Sequence, residues 1–183
     1  MLKNRFIELA ARWYVFIFLI QYSVAKIFGG QFYTQERIPS DVAEKTLAKA
    51  THFELAWTFM GASFYYMLFI AIAEIAGAVC LLWEKSKLIG VAILLPVMIN
   101  VIVFDIFFLD KYGALANAMI YFILLMVILI YNREKVQQVW RSLLNFHPFK
   151  KISIKTIAAA IILMAVIFTI DQLLVNLFGH GNG

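Results

Sequence analysis

The sequence predicts an all-α protein: a transmembrane four-helix bundle followed by a fifth transmembrane helix. The chain has 183 residues and is 63% hydrophobic, whereas ordinary soluble domains are about 45–50% apolar. Its mean hydropathy is +0.85, and the apolar residues fall in blocks long enough to cross a bilayer. Most of the basic residues flank these blocks, as they do in membrane proteins. The formal charge of +5 therefore indicates membrane orientation, and no nucleic-acid partner is expected.

The predicted spans follow one another with short connections. The first runs from about 12 to 28 and is expected to be retained, because no small-residue cleavage site follows it. The others are predicted at 59–83, 88–109, 114–131 and 156–178. Residues 1–131 form the predicted four-helix domain, which includes an outer segment at 30–56. Residues 132–155 are predicted to be a basic cytoplasmic linker, and residues 156–178 the additional helix.

The outer segment contains one stretch that two structures would fit. Residues 42–55 mix charged and apolar side chains after Pro39, Ser40 and Asp41, which favour a helix start. An amphipathic helix lying on the outer membrane face fits this pattern. A plain surface loop fits it as well.

The distribution of Lys and Arg predicts the orientation. Placing the amino terminus inside puts eleven of the counted basic residues in inner segments and four in outer segments. Basic residues concentrate on the cytoplasmic side of membrane proteins. We therefore expect a multi-pass protein of the inner (cytoplasmic) membrane, with a cytoplasmic amino terminus and an outer carboxyl terminus.

Glu74 is the residue that most needs an explanation. A carboxylate at the bilayer centre costs about 2.5–3.5 kcal/mol even on the mildest scale, so it normally faces the bundle interior and has a partner. At about 1.5 Å per residue, Gln21 and Asn100 lie at a similar depth, so the three could form a central polar layer. Glu74 is either a proton donor or acceptor that also anchors a ligand, or a group that fixes helix packing.

A second polar level is predicted in the outer third of the membrane. Lys26 and Asp105 lie there and are expected to form an ion pair. Gln21 and Lys26 are five residues apart, as are Asn100 and Asp105, which separates each pair by roughly 140° around its helix. Two stacked polar layers therefore fit better than one compact site.

Several kinds of chemistry are not expected. The single cysteine, Cys80, excludes an intramolecular dithiol site. The three histidines lie outside the predicted spans, so no haem and no metal centre are expected. The four tryptophans are interpreted as interface markers rather than as part of a cofactor site.

Residues 57–101 also carry a family resemblance. The stretch WTFMGAS at 57–63, Tyr66, Glu74 with Leu81 and Leu82, Leu88 with Gly90, and Asn100 with Val101 resemble the DoxX-like family of bacterial membrane proteins. The AKIFGGQF stretch at 25–32 is similar to the end of that family's first helix. The resemblance covers about residues 12–131 and implies a four-helix membrane bundle tied to respiratory or thiol redox chemistry. The chain departs from the family pattern in its charged segment 33–56, in Glu84-Lys85, in its fifth span and in having one cysteine.

The resemblance and the polar residues together lead to two expectations. The first is a redox-associated membrane subunit that binds a small lipophilic molecule, such as a quinone, through Gln21, Tyr66, Glu74 and Asn100. Such a chain would be at most an oxidoreductase-associated subunit, since the residues do not establish a reaction. The second is a non-catalytic membrane assembly or chaperone-like protein with a structural polar layer. A membrane-protein partner or a homo-oligomer would then be expected.

Overall fold

The computed structural model describes residues 2–109, 112–144 and 153–178. Within those ranges the chain is helical and contains no strand. The helices are α1 (Leu2–Ile27), α2 (Ser40–Ala43), α3 (His52–Gly61), α4 (Phe64–Leu81), α5 (Lys87–Phe108), α6 (Tyr112–Tyr131), α7 (Arg133–Leu144) and α8 (Ile154–Phe178), with a short 3₁₀ helix at Leu47–Lys49. The prediction of an all-α protein is confirmed.

Five of these helices are long and apolar enough to cross a membrane. The candidate spans are Arg5–Ile27, Phe64–Leu81, Lys87–Phe108, Tyr112–Tyr131 and Ile154–Leu173. They correspond to the five predicted spans, and the chain is a multi-pass membrane protein.

The second span begins later than the sequence predicted. Phe59 lies in α3, and the chain breaks at Ala62 and Ser63 before α4 begins. Ser63 has extended backbone angles and accepts a hydrogen bond from the backbone N–H of Tyr66 through its hydroxyl. A serine in this position caps the first turn of a helix by satisfying an unpaired N–H. The apolar run 57–83 therefore forms two helices, because a capping serine interrupts it.

The expectation of one continuous amphipathic helix at residues 42–55 is wrong. Thr46 and Ala50 have extended backbones, so only the four-residue α2 and a single 3₁₀ turn form before α3. A new helix starts at His52, where Thr51 and Glu54 make a capping box with reciprocal side-chain-to-backbone hydrogen bonds. The segment is mostly a surface loop that ends in a short helix.

The chain divides into two compact units, residues 1–137 and residues 138–183. Much of the predicted linker at 132–155 is helical, since α7 occupies residues 133–144. Its apolar residues recur at 136, 139, 140, 143 and 144, the spacing of an amphipathic helix. The helix predicted at 156–178 is α8.

Four spans of the first unit pack in an antiparallel ring. Each of α1, α4, α5 and α6 contacts two of the others, and α3 contacts α4 and α5. The ring encloses an apolar core built from Val15, Leu19, Ala78, Leu81, Val91, Leu94, Leu125 and Ile128. The ring has two ends. The Arg12 end holds the start of α1 and the turn 82–86, and the α3 end holds the end of α1 and the segment 28–63.

A glycine contact brings α4 and α5 together. A Cβ atom added to Gly90 would lie 2.6 Å from the carbonyl oxygen of Gly77 and 3.0 Å from the backbone nitrogen of Leu81. A Cβ atom on Gly77 would lie 2.6 Å from the Leu94 side chain. Small residues allow membrane helices to approach closely, so Gly77 and Gly90 let α4 and α5 pack backbone against backbone.

Candidate functional site

Glu74 lies inside the ring and has partners on both carboxylate oxygens. Only 1% of the Glu74 surface is exposed. The Lys26 ammonium group forms a salt bridge with Oε1, and the Ser23 hydroxyl donates to Oε2 at 2.8 Å. Ser23 and Lys26 are three residues apart on α1, so both face α4. A buried carboxylate with a cation and a hydroxyl donor is the arrangement that its desolvation requires.

The predicted ion pair between Lys26 and Asp105 is wrong. The Lys26 ammonium group contacts Glu74 instead, because the long, flexible lysine stem lets the charge lie away from its own Cα atom. Asp105 is nevertheless buried, with an exposure of 6%. Its Oδ2 atom has no hydrogen-bond partner among the described residues.

Asp105 and Gln31 supply two buried acceptors without partners. Oε1 of Gln31 is the second such atom among the described side chains. Both residues line a cavity of about 80 Å³ that also borders Lys26, Glu74 and Tyr121. A buried acceptor without a donor costs about 1–3 kcal/mol. A group in the cavity that donates hydrogen bonds would satisfy these atoms.

A larger groove shares this polar wall. It has a volume of about 500 Å³ and is lined by both orphan acceptors, by Lys26 and by side chains of α3, α4 and α5. Its remaining wall is largely aromatic and aliphatic, with contributions from Phe32, Trp57, Phe59, Met60, Phe69, Ile70, Val97 and Phe104. Small-molecule sites typically have 300–1,000 Å³ and an apolar lining with a few polar groups. The groove has these properties.

Trp57 of α3 borders both the cavity and the groove. Its ring stacks on Phe53 with centroids 4.4 Å apart and meets the Phe32 ring edge-on at 5.2 Å. The backbone N–H of Tyr33 donates to the Trp57 carbonyl at 3.3 Å. Trp57 is therefore fixed over the α3 end of the ring, and it does more than mark a membrane interface.

The predicted ligand-binding residues separate into two groups. Tyr66 and Asn100 line the groove, and both residues are exposed. Gln21 is exposed and lies off the buried face of α1. The central layer of Glu74, Gln21 and Asn100 does not form, because Gln21 points about 160° away from Leu19, which faces the core. Ser23 and Lys26 take the place expected for Gln21.

A second charged cluster occupies the Arg12 end of the ring, and sequence reasoning missed it. The Lys87 ammonium group contacts Glu8 at 2.5 Å and Glu84 at 2.7 Å, and Arg12 contacts Glu84 at 2.5 Å. Asn132 donates to Glu8 at 2.9 Å. These contacts join the first turn of α5 to α1 and to the end of α6. The sequence pattern that could have revealed this cluster is the helical spacing of the α1 residues that prove to be buried: Glu8, Arg12, Val15, Leu19, Ser23 and Lys26.

Glu84 lies outside the spans, in the turn between α4 and α5. The hydrogen bonds that it accepts from Lys87 and Arg12 lower its pKa from the ordinary 4.5 to about 2, against an opposing effect of burial. The side chain is 70% exposed, so solvent screens much of this interaction. Glu84 therefore remains an anion at every ordinary pH.

Comparison with known proteins gives one informative relative. No protein-family model matches the chain, and no solved structure matches it significantly. The chain is similar to a Bacillus subtilis (strain 168) protein described as "Uncharacterized protein YwoB". The two are 32% identical over 121 residues, which cover 66% of this chain and 73% of YwoB. At this identity and coverage, the chain belongs to the same protein family as YwoB.

Proposed function

We propose that the groove between α3, α4 and α5 binds a small lipophilic molecule whose polar head donates hydrogen bonds. The observation that carries this proposal is the pair of buried oxygen atoms on Asp105 and Gln31 that have no donor among the described residues. A ligand head that donates one hydrogen bond to each of them would remove the cost of leaving them unpaired. The aromatic and aliphatic wall would hold the apolar part of the ligand.

Each polar residue has a role in this proposal. Asp105 and Gln31 accept hydrogen bonds from the ligand head, while Tyr66 and Asn100 offer further polar contacts at the groove wall. Glu74 holds Lys26 in place, so the charge nearest the head is fixed. The role of proton donor or acceptor that the sequence suggested for Glu74 passes to Asp105, because both oxygens of Glu74 already have partners.

A quinol is one ligand of this class, since it combines hydroxyl donors with an apolar ring and tail. With such a ligand the chain would be a redox-associated membrane subunit, as the resemblance to the DoxX-like family implies. We place the protein in the cytoplasmic membrane, with the Arg12 end inside. The excess of basic residues at that end supports this orientation.

A second candidate is a non-catalytic assembly or chaperone-like membrane protein. It is favoured by the internal pairing of Glu74 with Lys26 and of Glu8 and Glu84 with Lys87. These pairs hold the helices together without any ligand. The two candidates differ at Asp105, which a purely structural polar layer would not leave unpaired.

The test is native extraction followed by mass spectrometry of the small lipids that remain bound. We would compare the wild type with Asp105→Leu and with Gln21→Leu, a matched control that removes an exposed polar group of a span away from the groove. The proposal predicts one lipophile that wild type and Gln21→Leu retain and that folded Asp105→Leu loses. Equal retention by all three proteins, or no specific lipophile in any, would favour the assembly candidate.

A further inference from the structure

A second pocket lies at the Arg12 end of the ring, away from the groove. It has a volume of about 470 Å³ and lies where α1 and α5 begin and where α4 and α6 end. Its charged lining consists of Arg5, Arg12, Lys87, Lys135, Glu8 and Glu84. Four cations against two carboxylates leave an excess of two positive charges in the pocket.

The buried cations of this pocket are held in fixed positions with donors to spare. Arg12 and Lys87 are each 3% exposed. Arg12 uses three guanidinium nitrogens, on Glu84 and on the carbonyls of Leu81 and Leu82. A guanidinium group has five N–H donors and an ammonium group has three. Arg12 therefore keeps N–H donors beyond the three in use, and Lys87 keeps one beyond those that contact Glu8 and Glu84. The described residues do not accept these remaining hydrogens.

The two exposed cations of the pocket, Arg5 and Lys135, also have donors available. Arg5 and Lys135 are exposed, and neither forms a salt bridge or side-chain hydrogen bond with any other residue that the structure describes. They lie on different helices, α1 and α7, and both line the pocket. Preorganised donors with two further cations at the mouth are suited to an anion that has several acceptor oxygens.

We propose that this pocket binds a phosphate group, supplied by the head of an anionic phospholipid. The pocket lies at the ends of the membrane spans, which is the depth of the lipid headgroups. Leu9 and Tyr131 also line it and are 46% and 38% exposed, so an acyl chain could leave the pocket along these two side chains. Basic pockets between helix ends are a known way to hold anionic headgroups. Inorganic phosphate has the same chemistry and is the other possible source.

The lipid arm of the test uses the full-length protein in neutral detergent. Native mass spectrometry would compare the affinity for phosphatidylglycerol with that for phosphatidylcholine of the same acyl chains. We expect phosphatidylglycerol to bind better, and Arg5→Gln combined with Lys135→Gln to reduce that preference about tenfold or more, since two cations beside the headgroup are lost. Lys45→Gln combined with Lys49→Gln removes the same charge at the α3 end and should leave the preference unchanged.

The soluble arm measures the unfolding temperature in inorganic phosphate against chloride at equal ionic strength. Stabilisation by phosphate that Arg5→Gln with Lys135→Gln abolishes, without any preference for phosphatidylglycerol, would keep the phosphate site and assign it to a soluble ligand. A lipid preference that survives in the Arg5 and Lys135 variant would overturn the proposal. The absence of both a lipid preference and a phosphate effect would overturn it too.

Discussion

Two buried acidic residues of this protein have opposite surroundings. Glu74 has a cation and a hydroxyl donor on its two oxygens, whereas the buried Oδ2 of Asp105 has no hydrogen-bond partner in the part of the chain that the structure describes. Removing one partner of the first arrangement leaves a buried charge without its counter-charge, whereas the second arrangement already costs stability. Substitution of the two residues should therefore change stability in opposite directions, and this difference separates a packing role from a binding role.

The Lys26–Glu74 pair should show the asymmetry of a buried salt bridge. Lys26→Met leaves the buried Glu74 carboxyl group without its cation, and we expect a loss of about 3–5 kcal/mol in the free energy of unfolding. The double variant with Glu74→Leu removes both charges and should regain most of that loss. Reversible unfolding in mixed detergent micelles measures both. If the double variant is as unstable as Lys26→Met, the cost does not come from an orphaned charge.

Asp105 should behave in the opposite way. Asp105→Leu removes a desolvated carboxylate with an unpaired oxygen, so the unfolding temperature without ligand is expected to stay the same or to rise. The same measurement on Gln21→Leu gives the baseline for a polar-to-apolar change in a span. A marked fall in the unfolding temperature of Asp105→Leu would mean that Asp105 has a structural partner.

The ion pairs of Glu84 should make the stability of the Arg12 end depend on pH. Because its pKa in the folded protein, about 2, is below the ordinary 4.5, the stability that it contributes is complete above about pH 4.5 and is lost as the pH falls towards 2. With a 70% exposed side chain, that contribution should be about 1 kcal/mol or less. Glu84→Gln should therefore lose less stability than wild type between pH 5 and pH 3.

The control for this pH series is Glu36→Gln. Glu36 is exposed and forms no ion pair with the residues that the structure describes. Its substitution should leave the wild-type pH profile of the unfolding temperature unchanged. Identical profiles for Glu84→Gln and wild type would contradict the assigned ion pairs.

At the scale of single residues, the sequence correctly indicated that Glu74 needs a partner, but it did not identify Lys26 and Ser23 as the partners. The depth of Glu74 follows from counting residues along α4. Counting residues along a helix gives the depth of each Cα atom but not of the charged end of a long side chain. For this reason Lys26 was paired with Asp105, although its stem is long enough to reach Glu74. The rotation of α1 could have excluded Gln21, because Gln21 and Lys26 differ by roughly 140° and only one of them can face the core.

Among the elements, the contact between α4 and α5 depends on a glycine. Gly90→Ala would place a methyl group 2.6 Å from the Gly77 carbonyl oxygen, so the two helices must separate. We expect a loss of about 1–3 kcal/mol in the free energy of unfolding, typical of an overpacked contact. Gly113→Ala in α6 is the matched control, since nothing lies within 4 Å of its added Cβ atom. It should be neutral or stabilising, and an equal loss in both variants would refute the close helix contact.

The elements also mark the limits of what the sequence predicted. Hydropathy located all five spans because bilayer thickness sets their length. The break at Ser63 was missed because the flanking residues Met60 and Phe64 continue the apolar run. The resulting helix α3 holds Trp57 over the groove, and no periodicity in the sequence indicated that placement.

For the whole molecule, the expected orientation remains a prediction. In a Cys80→Ala background, Lys49→Cys should react with a membrane-impermeant maleimide in spheroplasts, because its loop is expected outside. Lys135→Cys should react only after the membrane is permeabilised. The reverse pattern would invert the orientation and would place the phosphate pocket at the outer face.

The most direct measurement of the central claim is a fluorescence titration of Trp57, which borders both the cavity and the groove. A short-chain quinol would be added to the purified wild type, Trp57→Phe and Asp105→Leu. Binding in the groove predicts saturable quenching in wild type, which disappears in Trp57→Phe and shifts to at least tenfold higher quinol concentration in Asp105→Leu. Linear quenching of equal size in all three proteins would reflect partition into the detergent alone, and would contradict a binding groove for this class of ligand.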